Sequence, residues 1–545
     1  MNPPDYSSPS LPAVRPRVFR AALALILVAA ALLRCWDLDD SFEFGHQVNG
    51  ALYCTIAQNY LKFGFAALHL APVLRGGDQR PEEHVYYLRH PPLCGLLIAV
   101  LFKIFHVSHV VARVPFILMS LVALLGVAQL ARRLRGERAA LIAALFMAVL
   151  PGGAFYGSFV DVQGSLVMGF SVLAVIAYLG YHERGDRRAL LLSAFLCVLC
   201  GLTDWPGYFT LGLLGVHALV YRRRAALGVA AVVIGVVLFA LHLLQTRLAT
   251  GKLGEGGPAT LSATLAHHSF YGLVARDGVL GLWSFVVVTA QHLASLLTIP
   301  AVGLAAIAAV LCLRARARPD ARWGGVLVLL GAALLHILLF AEISMRHDYW
   351  VLYMLPPVAI GAATLIARWW EKGGLATRGA ALACLATAAL GATQSVLLMH
   401  KPRPFFKPLG EIMKALTGPA DHVLTCELGH AALVFYSDRL LRGKFCDDFF
   451  EGVPSDQAID DPALQQPAAP YLKGMTVAQA FALLKAAKYV IFGERFTRFV
   501  VPLQARSYSW HRHDKVVQIL RASHPSRIAD SVLGPVEVFD LTQGK

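Results

Sequence analysis

The segment DLDDSFEFGHQVNG, residues 37–50, sets four carboxylates (Asp37, Asp39, Asp40 and Glu43) and a histidine, His46, within ten residues. It follows directly on an apolar stretch that begins near Ala21. A carboxylate in such a place can take a proton from an incoming hydroxyl or amine, and the histidine can orient the acceptor or the base. Two other groups of segments carry ionisable residues of a second kind. YYLRHPPL (86–93) holds Arg89 and His90, and VARVP (111–115) holds Arg113. RHDYWVLYMLPP (346–357) holds Arg346 and His347, while FVDVQG and LTDWPG hold Asp161 and Asp204. Arginines at a membrane edge can neutralise a phosphate. A base together with phosphate-binding cations suits group transfer from a lipid-phosphate donor, with the cations stabilising the departing phosphate.

The elements that must position these residues are membrane spans. Of the 545 residues 57% are hydrophobic and only 15% charged, and the mean hydropathy is +0.58. A soluble fold cannot hide that much apolar surface, so an integral membrane protein is expected. About eleven spans are expected, near residues 18–35, 111–131, 139–155, 164–181, 189–203, 207–221, 225–245, 283–313, 323–341, 349–368 and 379–399. The apolar piece 92–105 is too short to cross and reads as an interfacial or re-entrant helix. The net charge is +15, but no basic patch interleaved with aromatics appears, so nucleic acid is not an expected partner. The basic residues form short runs instead: Arg15, Arg17 and Arg20, then RRLRGER (132–138), HERGDRR (182–188), YRRR (221–224), RARARPDAR (314–322) and RWWEKGGLATR (368–378). All of these fall inside if the N-terminus is cytoplasmic and 92–105 does not cross. Every candidate segment then lies outside, around a shared cavity at the membrane surface. Ionisable groups beside a bilayer are costly unless paired or used.

Several other features read as structural. The N-terminal stretch has a basic flank and an apolar core but no small-x-small cleavage site, so it reads as an uncleaved first span. Cys197 and Cys200 stand within an apolar span as packing residues. His217, His242 and His336 read as hydrogen-bonded packing residues, and Asp161 and Asp204 also suit helix caps. GKLGEGGP (251–258) lacks P-loop spacing and reads as a mobile loop over the site. HRHD (511–514) reads as a surface turn. After His400 the polarity becomes ordinary. HVLTCEL, YVIFGE and PVEVFDL read there as strands, and TVAQAFALLKAA as an amphipathic helix capped by Thr476. Cys426 and Cys446 are within this part and are candidates for a disulfide.

The layout resembles the C-type membrane glycosyltransferases, specifically family 39, which includes protein O-mannosyltransferases and lipid A aminoarabinose transferases. The resemblance covers roughly residues 18 to 400. It rests on the acidic first outer loop, on IAQNYLKFGF (56–65), on HPPL (90–93), on HVVARVP (109–115) and on the aromatic-proline turn HDYWVLYMLPP. It implies an inverting transfer from a polyprenyl-phosphate sugar, with an acidic residue of the first outer loop as base. The family's acidic pair falls just before the segment matched by IAQN, where this chain has Asn49 and Gly50. The base is therefore sought upstream, at Glu43 first, then Asp40, then Asp39 and Asp37.

The sequence thus describes a polytopic α-helical membrane protein of the C-type glycosyltransferase fold, with a small extracytoplasmic α/β domain at its C-terminus. The expected divisions are a cytoplasmic tail (1–17), a transmembrane domain (18–399) containing the first outer loop (36–110), and a periplasmic domain (400–545). Glu43, Asp40 and His46 are the expected catalytic residues. Arg89, His90, Arg113, Asp161, Arg346 and His347 are expected to bind substrate or the donor phosphate. The expected setting is a bacterial inner membrane. The partners are the bilayer, a polyprenyl-phosphate sugar donor, and a lipid A, polysaccharide or protein acceptor. No metal and no cofactor beyond that co-substrate are expected. The rival readings are a flippase of lipid-linked sugars, which calls for charged residues in mid-span, and an inactive relative acting in envelope assembly.

Overall fold

The computed structural model describes residues 14–36, 38–42, 47–162, 164–222, 224–251, 269–314 and 321–399. Beyond these it describes 407, 410–411, 414–415, 418–420, 422–425, 431–444, 489–493, 526–531 and 534–540. The chain forms two compact units. One comprises Met1–Asp40, Phe65–Ala71 and Tyr87–Lys401; the other comprises Ser41–Gly64, Pro72–Tyr86 and Pro402–Lys545.

The first unit is helical. Its helices are α1 (Pro16–Cys35), α3 (Leu93–Ile104), α4 (His109–Val149), α5 (Ser165–Arg184), α6 (Arg187–Thr203), α7 (Pro206–Arg222) and α8 (Ala225–Thr250). They continue as α9 (Phe270–Leu297), α10 (Ile299–Arg314), α11 (Ala321–Leu339), α12 (Leu355–Glu371) and α13 (Gly374–Met399); α2 (Val48–Phe63) belongs to the second unit. Among the described residues, eight helices are long and apolar enough to cross a membrane. The α3 helix, with 12 residues, reaches about 18 Å, well short of a hydrocarbon core of about 30 Å. The expected spans 111–131 and 139–155 lie on one continuous stretch, α4, whose helical geometry breaks at Arg135 and at Gly136, where φ is +77°. That break falls inside the basic run 132–138, where glycine is the residue that takes a positive φ without strain.

One expected span differs. Residues 283–313 do not form a single helix. Thr298, at φ +64°, separates α9 from α10, and Pro300 sits in the first turn of α10. Pro300 has no N–H to donate, which suits a helix start and not a helix interior.

The core of this unit gathers around α12. The most apolar 18-residue window of Asp348–Glu371 is wholly buried, whereas α1, α8 and α9 bury only 17% of theirs. Those outer helices present Leu, Val and Ile side chains outward, the arrangement of helices whose solvent is lipid. The breaks and ends bearing the basic runs meet at one end of the bundle. Arg135 pairs with Glu371 at 2.7 Å, and Arg322 pairs with Glu183 at 2.9 Å while donating to the Arg133 carbonyl at 3.0 Å.

In the second unit α2 packs against α14 (Ala431–Ser437). Lys62 reaches Asp438 at 2.8 Å and the Gly77 carbonyl at 3.1 Å, and the Gly77 N–H donates to the same carboxylate at 2.9 Å. Burial pushes the Asp438 carboxyl up, but Lys62 and the Gly77 N–H outweigh it and hold it below the usual carboxylate range. The Phe42 N–H donates to the Tyr436 hydroxyl at 3.0 Å, and the Phe42 ring is buried beside Gly50 and Phe435. The strands are β1 (His422–Thr425), β2 (Leu440–Lys444), β3 (Tyr489–Gly493), β4 (Ser526–Ser531) and β5 (Gly534–Asp540). They form one sheet of order β2-β1-β3-β5-β4, parallel at β2-β1-β3 and antiparallel at β3-β5-β4. β1, β3 and β5 occupy the three expected strand segments. The expected helix at 476–487, Cys426, Cys446 and HRHD lie outside the described residues, as does nearly all of GKLGEGGP.

Candidate functional site

The HPPL segment is docked by three successive hydrogen bonds. The His242 ring donates from Nε2 to the Leu88 carbonyl at 3.2 Å, the Trp205 indole donates to the Arg89 carbonyl at 3.1 Å, and His90 Nδ1 lies 2.7 Å from Asp204 Oδ1. Asp204 and Trp205 form the turn between α6 and α7, and His242 comes from α8. The turn is tight: a Cβ on Gly207 would stand 2.4 Å from the Cys200 carbonyl carbon. Only glycine lets α7 leave that close to α6. The Asp204 side chain has no solvent exposure, and that of His90 has 12%. A buried carboxylate is costly unless paired and hydrogen-bonded. Asp204 meets that need with His90 and with the Tyr353 hydroxyl at 3.5 Å. The Arg89 side chain is exposed.

Around this pair stand further polar groups. Asp161 is buried in the turn before α5, where its carboxylate accepts the Val162 N–H at 2.6 Å. Tyr353 lies within electrostatic reach of both Asp161 and Asp204. His336 differs from expectation: it is fully buried, stacks on Trp350 with ring centroids 4.5 Å apart, and neither ring nitrogen has a hydrogen-bond partner among the described residues. His217 and His242 are hydrogen-bonded, as expected.

A second cluster joins Tyr156, which precedes α5, to Asp348. The hydroxyl donates to both carboxylate oxygens, at 2.8 and 3.0 Å. Burial and the adjacent Asp348 push the Tyr156 hydroxyl far up, so it remains a donor. His347 sits beside Tyr349 with ring centroids 5.3 Å apart. Arg346 is largely exposed and pairs with the buried Glu342, which Arg276 reaches from α9 at 3.3 Å.

Arg113 is buried, and its guanidinium donates to the Leu38 and Asp40 carbonyls at 2.9 and 2.6 Å. It thereby fixes the chain leaving α1. His109 adds a contact to the Asp39 carbonyl at 2.7 Å. Arg34, at the end of α1, is also buried. It donates to Ser120 Oγ at 2.7 Å and to the Ala30 and Met147 carbonyls, each at 2.9 Å. Asp40 is half-buried in this region, while Glu43, His46 and Asp37 lie outside the described residues.

The structure thus brings His90 together with Asp204 and sets Asp161 near by through Tyr353. It places Arg346 in a separate cluster with Glu342 and turns Arg113 toward backbone carbonyls. Sequence reasoning passed over Tyr156, Asp348, Glu342 and Arg276. Asp348 was in a quoted motif, but no spacing linked it to Tyr156. Among the described residues, no group of three or more His, Cys, Asp or Glu side chains is disposed to hold a metal ion.

The fold is that of the C-type membrane glycosyltransferases. ArnT from Cupriavidus metallidurans in its apo state is similar with a TM-score of 0.56 and 16% identity, over 95% of this chain and 98% of that one. The same protein bound to undecaprenyl phosphate gives a TM-score of 0.59 and 14% identity, with the same two coverages of 95% and 98%. The Archaeoglobus fulgidus oligosaccharyltransferase, in complex with zinc and sulfate, has a TM-score of 0.54 and 15% identity over 94% of this chain and 72% of that one.

A second likeness covers part of the chain. The model for dolichyl-phosphate-mannose-protein mannosyltransferases matches residues 89–249, from the Arg89–His90 segment to the end of α8. That match spans less than a third of the chain and is a likeness to family 39 over that part. No curated protein matches the sequence.

Proposed function

We propose that the protein is a membrane glycosyltransferase that moves one sugar from a polyprenyl-phosphate donor to an acceptor outside the cytoplasm. The acceptor oxygen attacks the anomeric carbon, and its proton passes to a carboxylate of the first outer loop. The bond from that carbon to the phosphate oxygen breaks, and polyprenyl phosphate leaves; the configuration inverts. Glu43 is the first choice of base, Asp40 the second, with His46 beside them. Arg89 and His90 are the phosphate contacts best supported by exposure and docking. Arg113, whose guanidinium also holds the Leu38 and Asp40 carbonyls, and Asp161, Arg346 and His347 are the further proposed contacts to substrate or donor phosphate. The acceptor is lipid A, a polysaccharide or a protein.

The topology proposed is about eleven spans in a bacterial inner membrane, with the N-terminus cytoplasmic and the C-terminal α/β part periplasmic. The meeting of Arg133, Arg135, Glu183, Arg322 and Glu371 at one end supports it, since these residues come from the expected inner loops.

The observation that carries the functional reading is the full-length likeness to a fold captured with undecaprenyl phosphate. The test uses membranes containing wild type, Glu43→Gln or Asp40→Asn, incubated with radiolabelled polyprenyl-phosphate sugars and candidate acceptors. Loss of transfer in one variant at normal expression identifies the base. A wild type that transfers from no donor to any acceptor class rules the reading out.

A further inference from the structure

The His90–Asp204 contact has the form of a supported imidazole. A carboxylate only accepts hydrogen bonds, so the 2.7 Å contact places the proton on His90 Nδ1. The described residues give Nε2 no hydrogen-bond partner, and the ring keeps some exposure where that of Asp204 has none. The backbone on the N-terminal side of His90 is pinned at Leu88 and Arg89 by His242 and Trp205. Two prolines on its C-terminal side restrict it further. The ring therefore has one anchored edge and one offered edge. Among the described residues, the titratable groups facing the pair are Tyr353, His336 on α11, His242 on α8, Cys200 on α6 and Tyr208 on α7, with Tyr87 and Arg89 on the segment itself.

We infer that Asp204 is a positioning residue for His90: its buried carboxylate holds the imidazolium by Nδ1 and presents the Nε2–H to an anionic oxygen of the donor phosphate. This rests on the proposed reaction. As the sugar leaves, a phosphodiester becomes a phosphomonoester and gains negative charge. A cation fixed at that oxygen is bound more tightly in the transition state than in the ground state, so it raises kcat more than it lowers KM.

The experiment compares wild type, Asp204→Asn, His90→Lys and the double variant, each checked for a single species in detergent. Transfer is followed against pH, and undecaprenyl phosphate binding is measured in parallel by thermal shift. Asp204→Asn should lower kcat about 10–100-fold, the equivalent of one hydrogen bond to a charged group. The loss should fall on kcat and leave KM nearly unchanged, because the contact to the phosphate oxygen matters most in the transition state. Adding His90→Lys should recover much of the rate, since an ammonium presents a donor to the phosphate without a carboxylate to orient it. A folded Asp204→Asn with wild-type kcat across the pH range and wild-type lipid-phosphate binding overturns the role of Asp204 and leaves the donor reading intact. So does a double variant no better than Asp204→Asn alone. A wild type that neither binds undecaprenyl phosphate nor transfers sugar overturns both.

Discussion

Replacing Gly207 by alanine tests whether the α6–α7 turn sets the geometry of Asp204. The added Cβ would lie 2.4 Å from both the Cys200 carbonyl carbon and the Gly201 nitrogen, and 2.6 Å from the Cys200 oxygen. Ordinary contacts begin at 3.4 Å, so the backbone on the two sides of the turn must part by about 1 Å, and no flexible side chain can yield in its place. Overpacking of this kind costs about 1–3 kcal/mol. A movement of about 1 Å also stretches the 2.7 Å contact from Asp204 to His90 beyond useful hydrogen-bond range. A buried charge that loses its partner adds about 1–3 kcal/mol. The combined loss is about 2–6 kcal/mol. Turnover should fall by tenfold or more if even about 1.4 kcal/mol of it appears in the transition state. Gly212 on α7 is the control, because a Cβ there meets nothing within 4 Å; alanine at that site should be neutral or slightly stabilising. The assay is thermal unfolding by tryptophan fluorescence in detergent, with initial rates of sugar transfer on the same samples. Gly207→Ala indistinguishable from Gly212→Ala in both measurements would refute the claim that the turn positions Asp204.

Other perturbations separate the remaining parts. Tyr156→Phe removes a donor held by both oxygens of Asp348 and should lower stability by about 1.5–3 kcal/mol. Combined with Asp348→Asn, it should cost less than the sum of the two single changes, which denaturation of the four proteins measures. Gly50→Ala would place a Cβ 2.6 Å from the Phe42 ring. It should depress transfer by displacing the residue next to Glu43, and Phe42→Leu in the same chain should restore part of the rate. Asp438 is held below the usual carboxylate range, so its pairing with Lys62 contributes above that range and is lost as the pH falls through the native value. Protection of residues 431–444 from protease should therefore decline in wild type below about pH 4. Asp438→Asn should be less protected at neutral pH and show little further acid loss.

The helices were legible because bilayer-length apolar runs leave few alternatives, and Gly136 within a basic run marks the break in α4. The break at Thr298 was hidden, since the residues on both sides are equally apolar and only Pro300 hints at a new start. The candidate site was legible as an inventory but not as a set of partners. His90 and Asp204 are 114 residues apart, and Tyr156 and Asp348 are 192 apart; no local spacing encodes such pairs. Arg113 shows the opposite limit. A cation beside a membrane edge suggests phosphate, and nothing in the sequence shows that its guanidinium also holds two backbone carbonyls. The makeup of the second unit was also not readable, because it combines two stretches of the first loop with residues beyond 401.

That interleaving sets a schedule for biogenesis. Lys62 waits for Asp438, 376 residues later, and the Phe42 N–H waits for Tyr436, 394 residues later. At about 5–20 residues per second, the ribosome needs about 20–80 seconds to supply those partners. Throughout that interval the segment carrying the candidate base has emerged without the residues that lock it. A chain interrupted before α14 would hold the Leu38, Asp39 and Asp40 carbonyls through Arg113 and His109 yet lack the Lys62–Asp438 and Phe42–Tyr436 contacts, so the second unit is fastened only as synthesis nears its end.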